Sequence, residues 1–267
     1  MSGRWLCLLA LWLFSTQAAE ARVNADALAA LKQDRSDRAY SFVVTGDNRD
    51  GDGVLKQILK QAAYYQPRFM IHTGDFVSQG YQREYLGFLS LLRRAAFPVL
   101  LAAGNHEIYN GGRKWFQRYI GPERFAFAYG PDRYIFLDNA DGELRSDQLA
   151  WLENELQQSA RYRFVVAHMP PRNLYWFHAF STGAKEMMKL VERYKANYVL
   201  LGHMHIYDKM LHNDVNYVIS GGAGGPLYRM LFYFSPEGGA YYHFVLLQVS
   251  DRGIKERVVP ITYRGQP

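Results

Sequence analysis

Short hydrophobic runs alternate, through the first two thirds of the chain, with longer segments in which apolar residues recur every three or four positions. The runs predict strands at residues 41–45, 69–73, 98–103, 163–167 and 197–201. The longer segments predict helices at about 53–64, 82–96, 145–159 and 183–194. Because strands that are separated by helices usually pair in parallel, this part of the chain indicates parallel pairing of its strands.

Two parts of the chain depart from this alternation. Residues 125–138 predict a strand pair that turns at Gly130-Pro131-Asp132. After Ile206, the runs 217–220, 241–249 and 255–262 are separated by Gly- and Pro-rich turns without a helical pattern. We expect these parts to form a second, mixed sheet. No linker or repeat divides the chain, so residues 22–267 are predicted to be a single domain of two packed sheets with helices outside.

The N-terminus has the pattern of an export signal. Arg4 precedes an apolar run at 6–14, and Ala19-Glu20-Ala21 fits a signal-peptidase site. A nine-residue run is far shorter than the ~20 residues that span a bilayer, although an uncleaved anchor is the alternative. We expect residues 1–21 to be removed, which predicts a periplasmic or secreted protein with no stable membrane anchor after cleavage.

The amino-acid composition excludes several classes of protein and of reaction. The chain has 267 residues, 49% hydrophobic and 21% charged, which is typical of a globular protein and excludes a disordered one. Its single cysteine, Cys7, lies in the predicted signal, so disulfides and cysteine nucleophiles are excluded from the mature chain. The net charge of +6 can favour anionic substrates, but Lys and Arg are scattered, and we expect no nucleic-acid partner.

Polar clusters follow five of the predicted strands. They are Gly46-Asp47-Asn48-Arg49, Gly74-Asp75-Phe76-Val77, Gly104-Asn105-His106-Glu107, the single His168, and Gly202-His203-Met204-His205. In open α/β sheets, ligands bind beyond the carboxyl ends of the strands. We therefore expect the five clusters to meet in one crevice.

The residue types in these clusters are typical of a metal pair. Carboxylates such as Asp47 and Asp75 can bind and bridge two divalent cations, although a single Asp after a strand is more often a turn or cap residue. In an extended backbone His203 and His205 would project to the same side, where they could bind neighbouring ions. With His168, three of the eight histidines would face the crevice.

In the third cluster, the neighbouring residues Asn105 and His106 are expected to have different roles. Asn105 offers a neutral carbonyl oxygen, while the adjacent His106 should point elsewhere. An imidazole that is not bound to metal titrates near neutral pH, so His106 is a candidate proton donor or acceptor. His72 and His243 lie within strand patterns, and we expect them to be packing residues.

The ordered clusters resemble the calcineurin-like metallophosphoesterase superfamily, whose motifs are Gly-Asp-x-His, Gly-Asp-x-x, Gly-Asn-His-Glu/Asp, a single His and Gly-His-x-His. The resemblance covers residues 41 to about 225. It implies an α/β fold, a four-layer sandwich of two mixed β-sheets flanked by helices. It also implies that Asp75 is a carboxylate that bridges two metal ions. Asp47 and His205 would hold the first ion, and Asn105, His168 and His203 the second. His106 would assist the leaving group.

One motif position departs from the family pattern. The His expected two residues after the first Asp is Arg49. A guanidinium has no acceptor and does not bind a divalent cation, so the first metal would keep three protein ligands. The purple acid phosphatase variant supplies a Tyr three residues after the second Asp, but that residue is Ser78 here. The fork of Arg49 is shaped to grip a substrate phosphate.

These observations predict a metal-dependent hydrolase that cleaves a small-molecule phosphomonoester or phosphodiester, with His106 as general acid and two divalent ions. Imidazole and oxygen ligands suit Mn, Fe, Zn or Ni, and the sequence does not choose among them. Because Arg49 breaks the motif, a catalytically impaired periplasmic metal- or phosphate-binding protein is the alternative.

The loop at 172–180 has four aromatic residues, Tyr175, Trp176, Phe177 and Phe180, directly after a proposed metal ligand. They could stack on a flat substrate group. Alternatively, they could bury themselves against the sheet edge. The sequence leaves both interpretations open.

Overall fold

Strands and helices alternate through much of the chain. The computed structural model describes residues 22–34, 38–172, 176 and 178–263, so the predicted export signal at 1–21 lies outside the described residues. The described elements are, in order, α1 (Val23–Gln33), β1 (Tyr40–Thr45), α2 (Asp52–Ala63), β2 (Met70–His72), α3 (Gln82–Leu92), β3 (Val99–Leu101), α4 (Asn105–Ile108), a 3₁₀ turn (Tyr109–Gly111), α5 (Arg113–Tyr119), β4 (Phe125–Tyr129), β5 (Asp132–Phe136), α6 (Ser146–Leu156), β6 (Arg163–Val166), α7 (Ala184–Arg193), β7 (Tyr198–Leu201), β8 (Tyr207–His212), β9 (Val215–Ser220), β10 (His243–Ser250) and β11 (Gly253–Pro260).

The strands form two mixed sheets. One has the order β11-β10-β1-β2-β3 and the other the order β4-β5-β6-β7-β9-β8. Strands β1, β2 and β3 pair in parallel, as do β5, β6, β7 and β9. The parallel pairing predicted for strands separated by helices is therefore confirmed. The remaining pairs are antiparallel.

The late strands do not form a sheet of their own. β10 and β11 extend the first sheet, where Leu247 pairs with Phe42 of β1. The hairpin β4–β5 and the pair β8–β9 extend the sheet of β6 and β7. The expectation that residues 125–138 and everything after Ile206 make up the second sheet was wrong. A local hydrophobic pattern identifies a strand, but the partner depends on distant residues.

Apolar side chains pack in three layers, which produces the four-layer sandwich. One layer lies between the two sheets and includes Phe42, Leu100 and Phe164. A second fills the space between the first sheet and α2, α3 and α5. A third lies between the second sheet and α6 and α7. The predicted fold class is therefore confirmed. No helix in the described residues combines the length and apolar character needed to cross a bilayer.

Helix α1 was not predicted, because its apolar stripe is narrow. Only Asn24, Ala27 and Leu31 are buried in it. The Asn24 side chain pairs with the backbone of the edge strand β3: Nδ2 donates to the Leu101 carbonyl at 2.9 Å, and Oδ1 accepts from the Leu101 N–H at 2.8 Å. The helix thus covers an edge that would otherwise leave backbone groups unpaired.

Candidate metal centre

The five predicted clusters meet where five strands end, as the sequence predicts. β1 and β2 end before Asp47 and Asp75, β3 ends before Asn105, and β6 and β7 end before His168 and His203. Two neighbouring sheets therefore deliver one set of side chains to one edge of the sandwich.

The backbone turns sharply at this edge. Asp47, Asp75 and His203 have φ angles of 65°, 57° and 68°, in the left-handed region that non-glycine residues rarely adopt. Each such conformation costs on the order of 1 to 3 kcal/mol and is found mainly at functional sites. Gly104 allows the motifs to approach closely, since a Cβ there would lie 2.3 Å from Asp75 Oδ1.

The last motif reaches the site by a turn and not by a strand. β7 ends at Leu201, and the Met204 and Ile206 N–H groups donate to carbonyls two residues earlier. The expectation that His203 and His205 share one side of an extended strand was therefore wrong. Both rings nevertheless enter the site. The His203 N–H donates to both carboxylate oxygens of Asp47, at 2.9 and 3.0 Å, which joins the first and last motifs.

Two groups of potential metal ligands share one carboxylate. Asp75, His168 and His203 form one group, and Asp47, Asp75 and His205 form the other; within each group, the ligand atoms lie within 4.8 Å of one another. Asn105 Oδ1 adjoins the first group, at 3.1 Å from His168 Nε2 and 2.9 Å from His203 Nδ1. All six predicted ligands are thus brought together.

Hydrogen bonds outside the site turn acceptor atoms toward its centre. His168 Nδ1 donates to the Thr73 carbonyl at 2.9 Å, and His205 Nδ1 donates to the Pro226 carbonyl at 2.6 Å. Carbonyl oxygens only accept, so Nε2 of both rings can present a lone pair. The Asn105 amide donates to the Tyr109 hydroxyl at 2.7 Å, which leaves Oδ1 facing inward. Several acceptor atoms therefore face one another at the centre of the site, an arrangement that a bound cation would stabilise.

The charges of the site fit the same conclusion. Burial lowers the pKa of His203 to about 3 and that of His205 to about 4, so both rings are neutral near pH 7 and could act as ligands. Burial also acts to lower the pKa of His168, but the Asp75 carboxylate outweighs it and raises that pKa to about 9. The buried carboxylates of Asp47 and Asp75 thus favour positive charge beside them, which divalent cations would supply.

His106 lies beside the two ligand groups without belonging to either. Its N–H donates to Asp75 Oδ1 at 3.0 Å, and its ring Nδ1 donates to the Ser78 carbonyl at 2.6 Å. Nε2 is 3.8 Å from Asp75 Oδ2. The ring therefore has a fixed orientation and one nitrogen directed at the site, an arrangement that suits proton transfer.

Arg49 lies at the edge of the second ligand group. Its backbone N–H donates to the Asp75 carbonyl at 3.0 Å. Its side-chain Nε is buried and has no hydrogen-bond partner within the described residues. Its charge acts on His205 and on Tyr228, where it opposes the rise in the Tyr228 pKa that burial causes. A buried N–H without a partner beside a metal site is a candidate contact for an anionic ligand.

Glu107 connects two of the motifs, a role that sequence reasoning missed. Its carboxylate is buried and accepts four backbone N–H groups, from Asp75 at 2.7 Å, Phe76 at 2.8 Å, Val77 at 3.0 Å and Gly104 at 2.7 Å. The signal was present: an acidic residue three positions after Gly104 can cap the short helix α4. The carboxylate also fixes the turn that carries Asp75.

We expect Glu107→Gln to lower the free energy of unfolding by about 2 to 3 kcal/mol, because the amide NH₂ would face backbone donors in place of an acceptor oxygen. Urea denaturation measures this loss. Glu84→Gln is the matched control, since Glu84 accepts two backbone N–H groups at the exposed start of α3. Equal losses in the two variants would show that Glu107 is only a helix cap.

The aromatic loop packs where the structure describes it. Trp176 and Phe180 are each 2% exposed, and Trp176 Nε1 donates to Asp208 Oδ2 at 2.9 Å. The packing interpretation therefore holds for these two residues, while Tyr175 and Phe177 lie outside the described residues. Another aromatic ring at the site is that of Tyr228, which sequence reasoning did not single out. It stacks on His205 at 4.5 Å with an interplanar angle of 9°.

The two histidines expected to pack are fully buried and hydrogen bonded. His72 Nε2 lies 3.0 Å from Asn48 Oδ1, and His243 Nε2 lies 3.2 Å from Ser220 Oγ. That prediction is confirmed.

A separate surface depression of about 1330 Å³ lies at the opposite end of the sheets, near the start of β1, and none of the converging residues borders it.

Comparisons with known proteins agree with this geometry. The model of the calcineurin-like phosphoesterase family matches residues 25–207. The chain is 26% identical over 190 residues to a glycerophosphodiester phosphodiesterase, GpdQ, of Enterobacter lignolyticus, covering 63% of this chain and 65% of that protein. It is 28% identical over 116 residues to a probable cyclic nucleotide phosphodiesterase of Fibrobacter succinogenes, covering 38% of this chain and 41% of that protein. The chain thus spans less than two thirds of each relative.

Solved structures share the fold. A purple acid phosphatase from yellow lupin seeds superposes with a TM-score of 0.68 at 17% identity, over 82% of this chain and 51% of the other. A dimetal phosphatase from Danio rerio gives a TM-score of 0.63 at 12% identity, over 85% of this chain and all of the other. The family match includes all five motifs that meet at the candidate metal centre, and we conclude that the chain belongs to the calcineurin-like phosphoesterase family.

Proposed function

We propose that the protein is a metal-dependent hydrolase of small-molecule phosphate esters with a dinuclear metal centre. The observation that carries this proposal is the position of Asp75, which belongs to both groups of ligand atoms. A shared carboxylate can bridge two cations and offset their repulsion. Two curated relatives are named as phosphodiesterases, which supports diesters as the first substrates to test.

The remaining ligands divide between two sites. Asp47 and His205 would hold one ion, and Asn105, His168 and His203 the other. The mixed nitrogen and oxygen donors suit Mn, Fe, Zn or Ni. When bound, the ions would polarise the phosphate group and stabilise the charge that develops during its transfer to water.

His106 would supply the proton that the leaving group needs. In the imidazolium form, Nδ1–H stays bonded to the Ser78 carbonyl, and Nε2–H faces the site beside Asp75. The ring is held from two sides, because its own backbone N–H is bonded to Asp75. Nε2 would donate its proton to the departing oxygen and later recover one from solvent, since the side chain is 14% exposed.

Arg49 would contact a phosphate oxygen of the substrate. Its buried Nε, which has no hydrogen-bond partner in the described part of the chain, is a donor at the edge of the ligand group formed by Asp47, Asp75 and His205. A guanidinium donates in a planar fork that matches phosphate. The residue that breaks the metal motif would then serve in substrate binding.

We expect Arg49→Ala to weaken substrate binding and turnover together by roughly 10- to 100-fold, the effect of losing a hydrogen bond to a charged group. The metal content should not change, whereas Arg49→His should strengthen binding of the first ion by restoring an imidazole ligand. Steady-state kinetics and elemental analysis measure both effects. Unchanged kinetics in Arg49→Ala would show that the side chain does not touch substrate.

The function itself is tested with metal-loaded protein and three substrate types: an aryl phosphomonoester, an aryl phosphodiester and pyrophosphate. We expect hydrolysis of an ester that depends on added Mn, Fe, Zn or Ni and is lost with a chelator. A folded protein that binds two ions and hydrolyses none of these compounds would overturn the proposal. It would then fit the alternative, a protein that binds metal or phosphate without catalysis.

We also propose that the protein works outside the cytoplasm. The support is the sequence at 1–21, with its short apolar run and the site at Ala19-Glu20-Ala21. Cell fractionation and mass spectrometry of the N-terminus test it. A chain that keeps Met1 and stays in the cytoplasm would contradict export.

A further inference from the structure

Exposed apolar side chains cluster in the loop between β9 and β10. Of the ten large hydrophobic residues exposed among the described residues, four lie within residues 228–234: Tyr228, Leu231, Phe232 and Phe234. Leu231 is 100% exposed and Phe232 is 49% exposed. Single exposed apolar residues are ordinary, but a contiguous group marks an interaction surface. We call Leu231, Phe232 and Phe234 the apolar tip.

The loop is held in place by a buried carboxylate. Asp208 is fully buried, and its Oδ1 accepts the N–H groups of Phe234 and Ser235, both at 2.9 Å. Its Oδ2 accepts Trp176 Nε1, and the Trp176 ring lies against Phe234 at 5.8 Å. Burying a carboxylate is costly unless hydrogen bonds compensate for it. These bonds fix the base of the loop, so the exposure of the tip is a built feature.

The same loop forms one wall of the metal centre. The Gly225 N–H donates to the Asp47 carbonyl at 2.7 Å, and the Pro226 carbonyl accepts from His205. Tyr228 stacks on the His205 ring. Leu231 follows Tyr228 by three residues, a span of at most about 11 Å. Whatever binds the apolar tip is therefore brought to the mouth of the site.

We propose that the apolar tip inserts into an anionic phospholipid surface. Leu and Phe side chains suit the boundary between headgroups and acyl chains. Arg229 is exposed beside the tip, and the chain has a net charge of +6, which complements anionic headgroups. Arg229 and Glu237 are the only charged residues at 226–240, so the loop itself repels neither kind of headgroup and the net charge of the chain favours anionic ones. A stable contact between two protein copies needs roughly 800 Å² from each partner, more than three side chains supply.

Docking on lipid would place the phosphoester of a headgroup next to the metal centre. This consequence rests on the proposed phosphoesterase function, whereas the docking itself does not. It deepens that function by naming a substrate class, phosphoesters presented at a lipid surface.

Cosedimentation with phosphatidylglycerol–phosphatidylcholine vesicles tests the docking. We expect the wild-type chain to bind, and the double variant Leu231→Ser/Phe232→Ser to lose roughly 10- to 100-fold in partitioning, from the apolar area no longer buried. Leu211→Ser is the matched control, because Leu211 is 66% exposed on β8, outside the loop. We expect this variant to bind vesicles like wild type. All proteins are compared with the same N-terminus, verified by mass spectrometry, so the apolar run at 6–14 cannot produce a difference.

Two further measurements separate the docking from the chemistry. Asp75→Ala should bind vesicles like wild type, since docking needs no turnover. The double variant should hydrolyse a soluble aryl phosphodiester normally and a vesicle-borne phosphoester more slowly. If wild type hydrolyses neither substrate, only the phosphoesterase proposal fails. Equal vesicle binding by wild type and the double variant would overturn the docking, and so would a wild-type dimer in sedimentation that the double variant loses.

Discussion

Replacing Asp75 by alanine should empty both metal positions and reduce turnover by about 10³-fold or more. The carboxylate is the one side chain common to both groups of ligand atoms. In the proposed dinuclear centre, its loss would remove a ligand from each ion and the negative charge that would offset their mutual repulsion. Metal ions supply several kcal/mol of transition-state stabilisation, and each 1.4 kcal/mol, roughly, is tenfold in rate. Elemental analysis and steady-state kinetics of the purified variant measure both effects.

Two control variants separate the loss of a bridging ligand from the loss of any other ligand or buried carboxylate. Asn105→Ala should weaken mainly the site of His168 and His203, because Asn105 Oδ1 lies 3.1 Å from His168 Nε2 and 2.9 Å from His203 Nδ1. Asp132→Asn removes a carboxylate that is equally buried but is bonded to Arg161 and Tyr40 at a distant position, so it should affect stability and leave the metals in place. Undiminished metal content in a folded Asp75→Ala protein would contradict the assignment of Asp75 as the bridge.

The sequence predicted the ligand set well because the ligands are tied to strand ends. A strand can be recognised from five or six consecutive residues, and the residue after it must lie at one edge of the sheet. Asp47, Asp75, Asn105 and His168 all follow this rule. His203 and His205 also reach the site, although by a turn in which His203 has a φ angle of 68°. Their position was predictable and their conformation was not.

Features that depend on distant partners were missed. The pattern of β10 marks a strand but does not reveal that it pairs with β1, some 200 residues earlier. Asn24 is an ordinary polar residue until its amide meets the edge of β3. Glu107 could be recognised as a helix cap, yet three of its four donors belong to the preceding motif. Tyr228 lies in a Gly- and Pro-rich segment, where no periodicity indicates which side chains face inward.

His106→Ala should keep both metals and slow turnover by on the order of 10² to 10⁴-fold for an alkyl phosphoester, the usual contribution of a general acid. An alkoxide is a poor leaving group, so its departure requires a proton from Nε2. An activated aryl leaving group departs as an anion without that proton, and its hydrolysis should fall much less. The ratio of kcat/KM values for the two esters, measured in wild type and variant, reports the proton transfer directly.

The matched control is His178→Ala, which removes an exposed imidazole whose ring lies 6.3 Å from that of His203, outside both ligand groups. We expect its effect to be small and equal for the two esters, because the ring lies outside both ligand groups and no hydrogen bond to another described residue orients it toward the site. His106 differs, since its backbone N–H is bonded to Asp75 and its Nδ1 to the Ser78 carbonyl. If His106→Ala slows both esters equally, or releases metal, then the ring supports the ligands and does not protonate the leaving group.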